Sequence, residues 1–100
     1  MQYLTILGST GSIGRSTLDI VRRHPERFAV TALTANKDVT QMVSDCLEFR
    51  PSFAVMADEA SALLLRNALA SHRLTIEVLS GADALCQVAA HSSVDIVMAA

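Results

Sequence analysis

The sequence predicts an α/β fold built on a doubly wound parallel sheet, and three observations predict it. Short apolar runs alternate strictly with segments of helical period, joined by short connections. Such alternation closes into a parallel sheet through right-handed crossovers. The second run, Phe28–Ala35, is nearly continuous in small and apolar residues, as a central strand covered on both sides must be. The first run passes directly into a turn with glycines at Gly8, Gly11 and Gly14, and then into a helix.

Taken in order, Tyr3–Leu7 is the first strand. A helix from about Ser12 to His24 follows, with Ile13, Thr17, Ile20 and Val21 read as its inner face. Arg22, Arg23 and His24 crowd its last turn, where positive charge is favourable, and Pro25 stops it. After the strand Phe28–Ala35, Asp38 is the expected N-cap of a second helix, with Gln41 at the reciprocal capping-box position. Val39, Met42, Val43, Cys46 and Leu47 recur at helical spacing until Pro51. Ser52–Met56 is the third strand, and Asp58 caps an Ala- and Leu-rich helix to about Ser71. Leu74–Leu79 is a shorter, more polar strand suited to an edge. Ser80 with Asp83 opens a fourth helix through Ala82, Leu85, Cys86 and Ala89, and Val94–Met98 is the fifth strand. That strand ends with no helix behind it. The expectation is therefore residues 1–100 as an incomplete N-terminal domain, the truncated N-terminal part of a larger enzyme.

Composition excludes several classes. A hydrophobic content of 51% against 18% charged argues for a packed core and against disorder. Mean hydropathy is +0.37, yet no apolar run approaches the ~18 residues of a membrane span. Aromatic content is 4% without Trp and net charge is −2 without a basic cluster, so no nucleic-acid partner is expected. Cys46 and Cys86 stand singly inside helical patterns and read as buried free thiols. The chain enters a strand at about Tyr3, which leaves no room for a signal peptide, and the expected compartment is the cytoplasm.

The glycine turn is the first candidate site. Helix N-terminal N–H groups lack intrahelical partners and carry the positive end of the macrodipole, and glycine lets a pyrophosphate come close to the backbone. The spacing is G-x-x-G-x-x-G, looser than the usual G-x-G-x-x-G, and no Gly-Lys-Ser/Thr follows to make a P-loop. Thr10 and Ser12 add hydroxyls to the backbone donors of Gly11, Ser12 and Ile13. The second candidate is the end of the second strand, Thr34-Ala35-Asn36-Lys37-Asp38, where the adenosine ribose of a dinucleotide lies in Rossmann-like folds. Positions 34 to 36 hold no carboxylate for a 2′-hydroxyl, and Lys37 offers a cation to a 2′-phosphate, so NADP is favoured. Asp38 pulls the other way unless its capping role turns it towards the helix. His24, His72 and His91 each fall near a helix end and need no catalytic role there. No Ser-His-Asp set, carboxylate pair or metal-ligand cluster is visible, so no catalytic or metal residue is assigned.

These residues resemble a known family. Leu4-Thr5-Ile6-Leu7-Gly8-Ser9-Thr10-Gly11-Ser12-Ile13-Gly14 with Ser16-Thr17-Leu18-Asp19 is similar to the N-terminus of the 1-deoxy-D-xylulose 5-phosphate reductoisomerases. The resemblance continues through Cys46-Leu47-Glu48-Phe49-Arg50-Pro51, Asp58-Glu59-Ala60-Ser61-Ala62, Glu77-Val78-Leu79-Ser80-Gly81 and Val97-Met98-Ala99-Ala100. It implies an enzyme of the methylerythritol phosphate route to isoprenoids. Such enzymes isomerise a sugar phosphate and reduce it with NADPH, need a divalent metal (Mg, Mn or Co), form homodimers and are sensitive to fosmidomycin. The family's cofactor contacts carry over onto Gly8, Thr10, Gly11, Ser12 and Ile13 at the turn and onto Asn36, Lys37 and Asp38 at the 2′-phosphate end. Asn36 and Asp38 depart from the Gly and Asn that the family usually has there. Metal ligands and substrate-phosphate residues are expected in later sequence. Two other readings stay open: another NADP-dependent reductase such as a semialdehyde dehydrogenase, and a non-enzymatic nucleotide-sensing module.

Overall fold

The apolar runs assemble into one sheet. The computed structural model describes residues 1–92 and 94–99. Its elements are β1 (Gln2–Leu7), α1 (Ser12–Arg23), β2 (Phe28–Thr34), α2 (Val39–Phe49), β3 (Phe53–Met56), α3 (Glu59–Ser71), β4 (Glu77–Ser80), α4 (Ala82–Ala89) and β5 (Ile96–Ala99). The sheet has five strands in the order β4-β3-β2-β1-β5, and every pair is parallel. After β4 the chain crosses back over β3, β2 and β1 to place β5 on the far side of β1. The order reverses there, which puts the carboxyl end of β1 at the topological switch point.

Alternation along each strand sorts the core into two layers. Leu4, Ile6, Leu33 and Met56 meet Leu18 of α1, Met42 and Cys46 of α2, and Leu65 and Leu69 of α3. Ala32 and Val55 point the other way, onto Ala84 and Val88 of α4. The sheet is thus wound on both faces, with α4 as the crossover on the second. Thr5 faces that second side, where its hydroxyl donates to the Val88 carbonyl at 3.3 Å. Val30 and Leu33 share the first layer although an odd number of steps separates them. A register shift between Leu4 and Thr5 leaves Thr31 of β2 without a partner on β1, and this extra residue inverts the parity.

Several sequence expectations need correction. The inner face of α1 is Gly14, Thr17, Leu18 and Val21, while Ile13 and Ile20 are 55% and 53% exposed. The reason is a close approach at the start of the helix. A Cβ on Gly14 would stand 2.4 Å from the Gly8 carbonyl oxygen and 2.6 Å from the Ser9 Cα, so only glycine lets α1 sit on that backbone. This contact rotates Leu18 inward and Ile20 outward. The fourth strand begins at Glu77, later than the expected Leu74. Residues 72–74 are used to end α3: Arg73 takes a left-handed φ of 59°, its N–H donates to the Ala70 carbonyl, and the Leu74 N–H donates to the Leu69 carbonyl. Leu74 and Ile76 still pack against the core as linker. Ser80 does not cap α4: it ends β4, its hydroxyl donates to Glu59 Oε2 at 2.6 Å, and Gly81 with φ 90° is the N-cap. Cys46 is buried but Cys86 is exposed. Burial, with Asp45 adjacent, pushes the Cys46 thiol up to about 12.

Two outcomes test the placement of α1. Leu18→Ala should destabilise the protein by about 2–5 kcal/mol in urea unfolding, whereas Ile20→Ala should cost less than about 1 kcal/mol. The reverse order would restore the other helix face. Gly14→Ala should destabilise by about 1–3 kcal/mol through overpacking, although alanine is the better helix former by about 1 kcal/mol. A gain in stability would show that α1 does not rest on the turn.

Candidate dinucleotide site

The site grows out of the carboxyl ends of β1, β2 and β3. β1 ends at Leu7, and Gly8 turns the chain with φ 81°, a conformation that a side chain would strain. The Gly11 N–H donates to the Gly8 carbonyl at 3.1 Å and closes the turn. Gly11 then serves as N-cap of α1 without any side-chain hydrogen bond, and the first turn of α1 carries no acidic residue. The N-terminal N–H groups of this helix are therefore left to an external acceptor, with the macrodipole favouring an anion. Gly11, Ser12 and Ile13 are exposed, Gly8 and Thr10 half-buried.

β2 holds the turn in place. The Gly8 N–H donates to Thr34 Oγ1 at 2.9 Å, and the Ser9 N–H and hydroxyl both donate to the Thr34 carbonyl, at 2.8 and 3.2 Å. Ser9 is fully buried by this arrangement. Its role was not legible in the sequence, where it reads as one more small turn residue.

Beyond Thr34, Asn36, Lys37 and Asp38 form an exposed loop into α2. The Asn36 carbonyl accepts from the Ala57 N–H at 3.0 Å, which ties the loop to the end of β3. Asp38 turns back to cap α2, accepting from the Gln41 N–H at 3.1 Å. Its carboxylate is thus engaged by the N-terminus of α2. The Gln41 side chain does not complete a capping box. It donates to Asp45 Oδ1 instead, at 3.1 Å. The Lys37 ammonium contributes to holding the Asp58 carboxyl below its ordinary range, after the larger effect of the hydrogen bond from Ser61. A cleft of about 300 Å³ runs from Leu7 and Gly8 past Thr34 and Ala35 to Asn36, with Ala57 and Leu85 as its apolar walls. Gly8 of the first stretch and Thr34, Ala35 and Asn36 of the second therefore line one cleft.

An ion pair joins α1 to α2. Arg15 of α1 donates from Nη1 to Asp45 Oδ2 of α2 at 2.6 Å, and the same nitrogen lies 3.4 Å from the Ser9 carbonyl oxygen. The Asp45 side chain is only 1% exposed. Nothing in the linear sequence pairs these two residues. A second pair between the same helices, Arg22 with Glu48, is exposed and contributes little. Among the described residues, no group of three or more His, Cys, Asp or Glu side chains could hold a metal ion. No helix among them is long and apolar enough to cross a membrane.

Comparison with known proteins agrees with this geometry. The family model of 1-deoxy-D-xylulose 5-phosphate reductoisomerase matches residues 4–100. A curated reductoisomerase of that name from Tolumonas auensis is 83% identical over 100 residues, and one from Aeromonas salmonicida is 56% identical. The chain spans about a quarter of the length of these relatives, 25% in each case, while all of it is matched. A crystal structure of DOX-P reductoisomerase in complex with NADPH, fosmidomycin and magnesium superposes with a TM-score of 0.92 at 36% identity, over 97% of this chain and 24% of that one. The Zymomonas mobilis enzyme in complex with NADPH gives 0.84 at 39% identity, over 92% of this chain and 24% of that one. With an uncapped glycine turn at the switch point and a family match along nearly its whole length, the chain belongs to the 1-deoxy-D-xylulose 5-phosphate reductoisomerase family.

Proposed function

We propose that residues 1–100 are the NADPH-binding N-terminal part of a reductoisomerase that converts 1-deoxy-D-xylulose 5-phosphate to 2-C-methyl-D-erythritol 4-phosphate. The observation that carries this reading is the helix N-terminus at Gly11, which no side chain caps, next to a cleft that Gly8 of the turn and Asn36 of the loop both line. NADPH supplies a hydride for the aldehyde formed by isomerisation. The chain's own contribution is orientation. Gly11, Ser12 and Ile13 offer backbone N–H groups to the pyrophosphate, with the Thr10 and Ser12 hydroxyls beside them. Gly8 keeps the turn tight. Asn36 and Lys37 receive the 2′-phosphate, Lys37 by charge and Asn36 by its amide. Asp38 acts indirectly, by capping α2 and so fixing the loop. Ala57 and Leu85 give the cleft apolar walls suited to the adenosine half. Solved relatives described with NADPH and magnesium support the cofactor and a divalent metal for the whole enzyme. The metal ligands, the residues for the sugar phosphate and the homodimer contacts belong, on this reading, to sequence outside these residues, in keeping with relatives about four times as long.

Two binding measurements on the intact protein test the assignment. Lys37→Gln should weaken NADPH about ten-fold, the loss of one charge-assisted contact, and leave NADH unchanged. Equal affinity of the unaltered protein for the two cofactors would remove Lys37 from the site. Gly11→Val should weaken NADPH at least about ten-fold while leaving the melting temperature near its original value. A Cβ at Gly11 meets its nearest neighbour, the Gly8 carbonyl oxygen, at 3.4 Å, and Gly11 is exposed with an ordinary negative φ. Retained affinity would make the turn purely structural.

A further inference from the structure

The Arg15–Asp45 pair is placed where it can do more than join two helices. A continuous line of hydrogen bonds runs from the glycine turn to the loop after β2. It starts at the Ser9 carbonyl, 3.4 Å from Arg15 Nη1, and passes to Asp45 Oδ2 at 2.6 Å. From Asp45 Oδ1 it continues to Gln41 Nε2 at 3.1 Å, and the Gln41 N–H closes it on Asp38 Oδ1 at 3.1 Å. Its two ends lie in the segments that the function proposed above assigns to the pyrophosphate and to the 2′-phosphate. A separate tie holds the same segments from the sheet side, where Gly8 and Ser9 donate to Thr34. The turn and the loop are therefore held from both sides.

The chemistry of the helix-side tie is unusual for mere packing. Asp45 is buried beside Met42 and Cys46, where an apolar residue of similar volume would fill the space at no cost in desolvation. A buried carboxylate with two directed donors instead specifies one distance and one orientation. We propose that Asp45 is a positioning residue: through Arg15 on one side and Gln41 on the other, it sets the separation of the two phosphate stations of the dinucleotide site. This inference rests on the NADPH reading. A ligand that spans both stations feels the separation, and a ligand that occupies one station does not.

The test compares two ligands on the intact protein by calorimetry: NADPH, which spans the stations, and adenosine 2′-monophosphate, which reaches only the loop. Asp45→Leu removes both acceptor oxygens and frees Arg15, already one-third exposed, to reach solvent. It should weaken NADPH about ten-fold and adenosine 2′-monophosphate by less than about two-fold, within the range for members of one network. A general loss of folded protein would weaken both equally. Gln41→Met cuts the line at its other link and keeps the ion pair. It should weaken NADPH about three-fold, and adding it to Asp45→Leu should bring no further loss, as for residues acting in series. If Asp45→Leu does not fold, Gln41→Met alone decides by the same criterion. Equal losses for the two ligands, or unchanged NADPH affinity in the folded variants, would overturn the positioning role and leave the cofactor reading intact. Unaltered protein that binds neither ligand would overturn both.

Discussion

The structure depends on how closely the first helix can approach the backbone of the first turn. Gly14 packs against the Gly8 carbonyl and the Ser9 Cα at distances that no side chain allows. That contact sets the axis and rotation of α1. It brings Leu18 and Val21 onto the sheet, leaves the N-terminus of α1 directly beyond the carboxyl end of β1, and carries Arg15 to Asp45. A single missing Cβ thereby links core packing to the geometry of the site.

Topology supplies the other half. The helices α1, α2 and α3 share one face, and α4 crosses on the other. The crossover returns the chain past β1 to β5, so the neighbours of β1 diverge at its carboxyl end. The cleft from Gly8 to Asn36 opens next to this point, walled by Leu85 of α4. The electrostatics follow the same logic. The N-terminus of α1, which follows the glycine turn, has no side-chain cap, while Asp38 and Asp58 place their carboxylates on the N-termini of α2 and α3. The helix-capping carboxylates thus sit at α2 and α3, and the N-terminus of α1 carries none.

Much of this was legible in the sequence because it rests on local chemistry. The apolar runs, the N-caps at Asp38 and Asp58 and the helix stop at Pro25 depend on neighbours a few residues away. So does the glycine turn, and its unusual spacing found its place in the family resemblance. What was not legible depends on contacts between distant residues. The face of α1 was misread because hydropathy favours Ile20 over Gly14, whereas tight packing needs the glycine inside. The bulge at Thr31 left no trace, since a strand buried on both faces has no alternation to break. The Schellman ending of α3 used Leu74 and delayed β4, although Arg73 is not a residue that advertises a left-handed turn. Nothing in the linear sequence singles out Arg15, Asp45 and Ser9, and only the fold brings them together.

The central claim is that one cleft, from the glycine turn to the loop after β2, holds NADPH through two separated phosphate stations. Hydrogen–deuterium exchange of the intact protein, with and without NADPH, tests this most directly. The account predicts slowed exchange in two peptides, residues 8–14 and 34–38, with little change over the exposed surface of α3. Protection confined to one of the two stretches, or centred elsewhere in the chain, would contradict it.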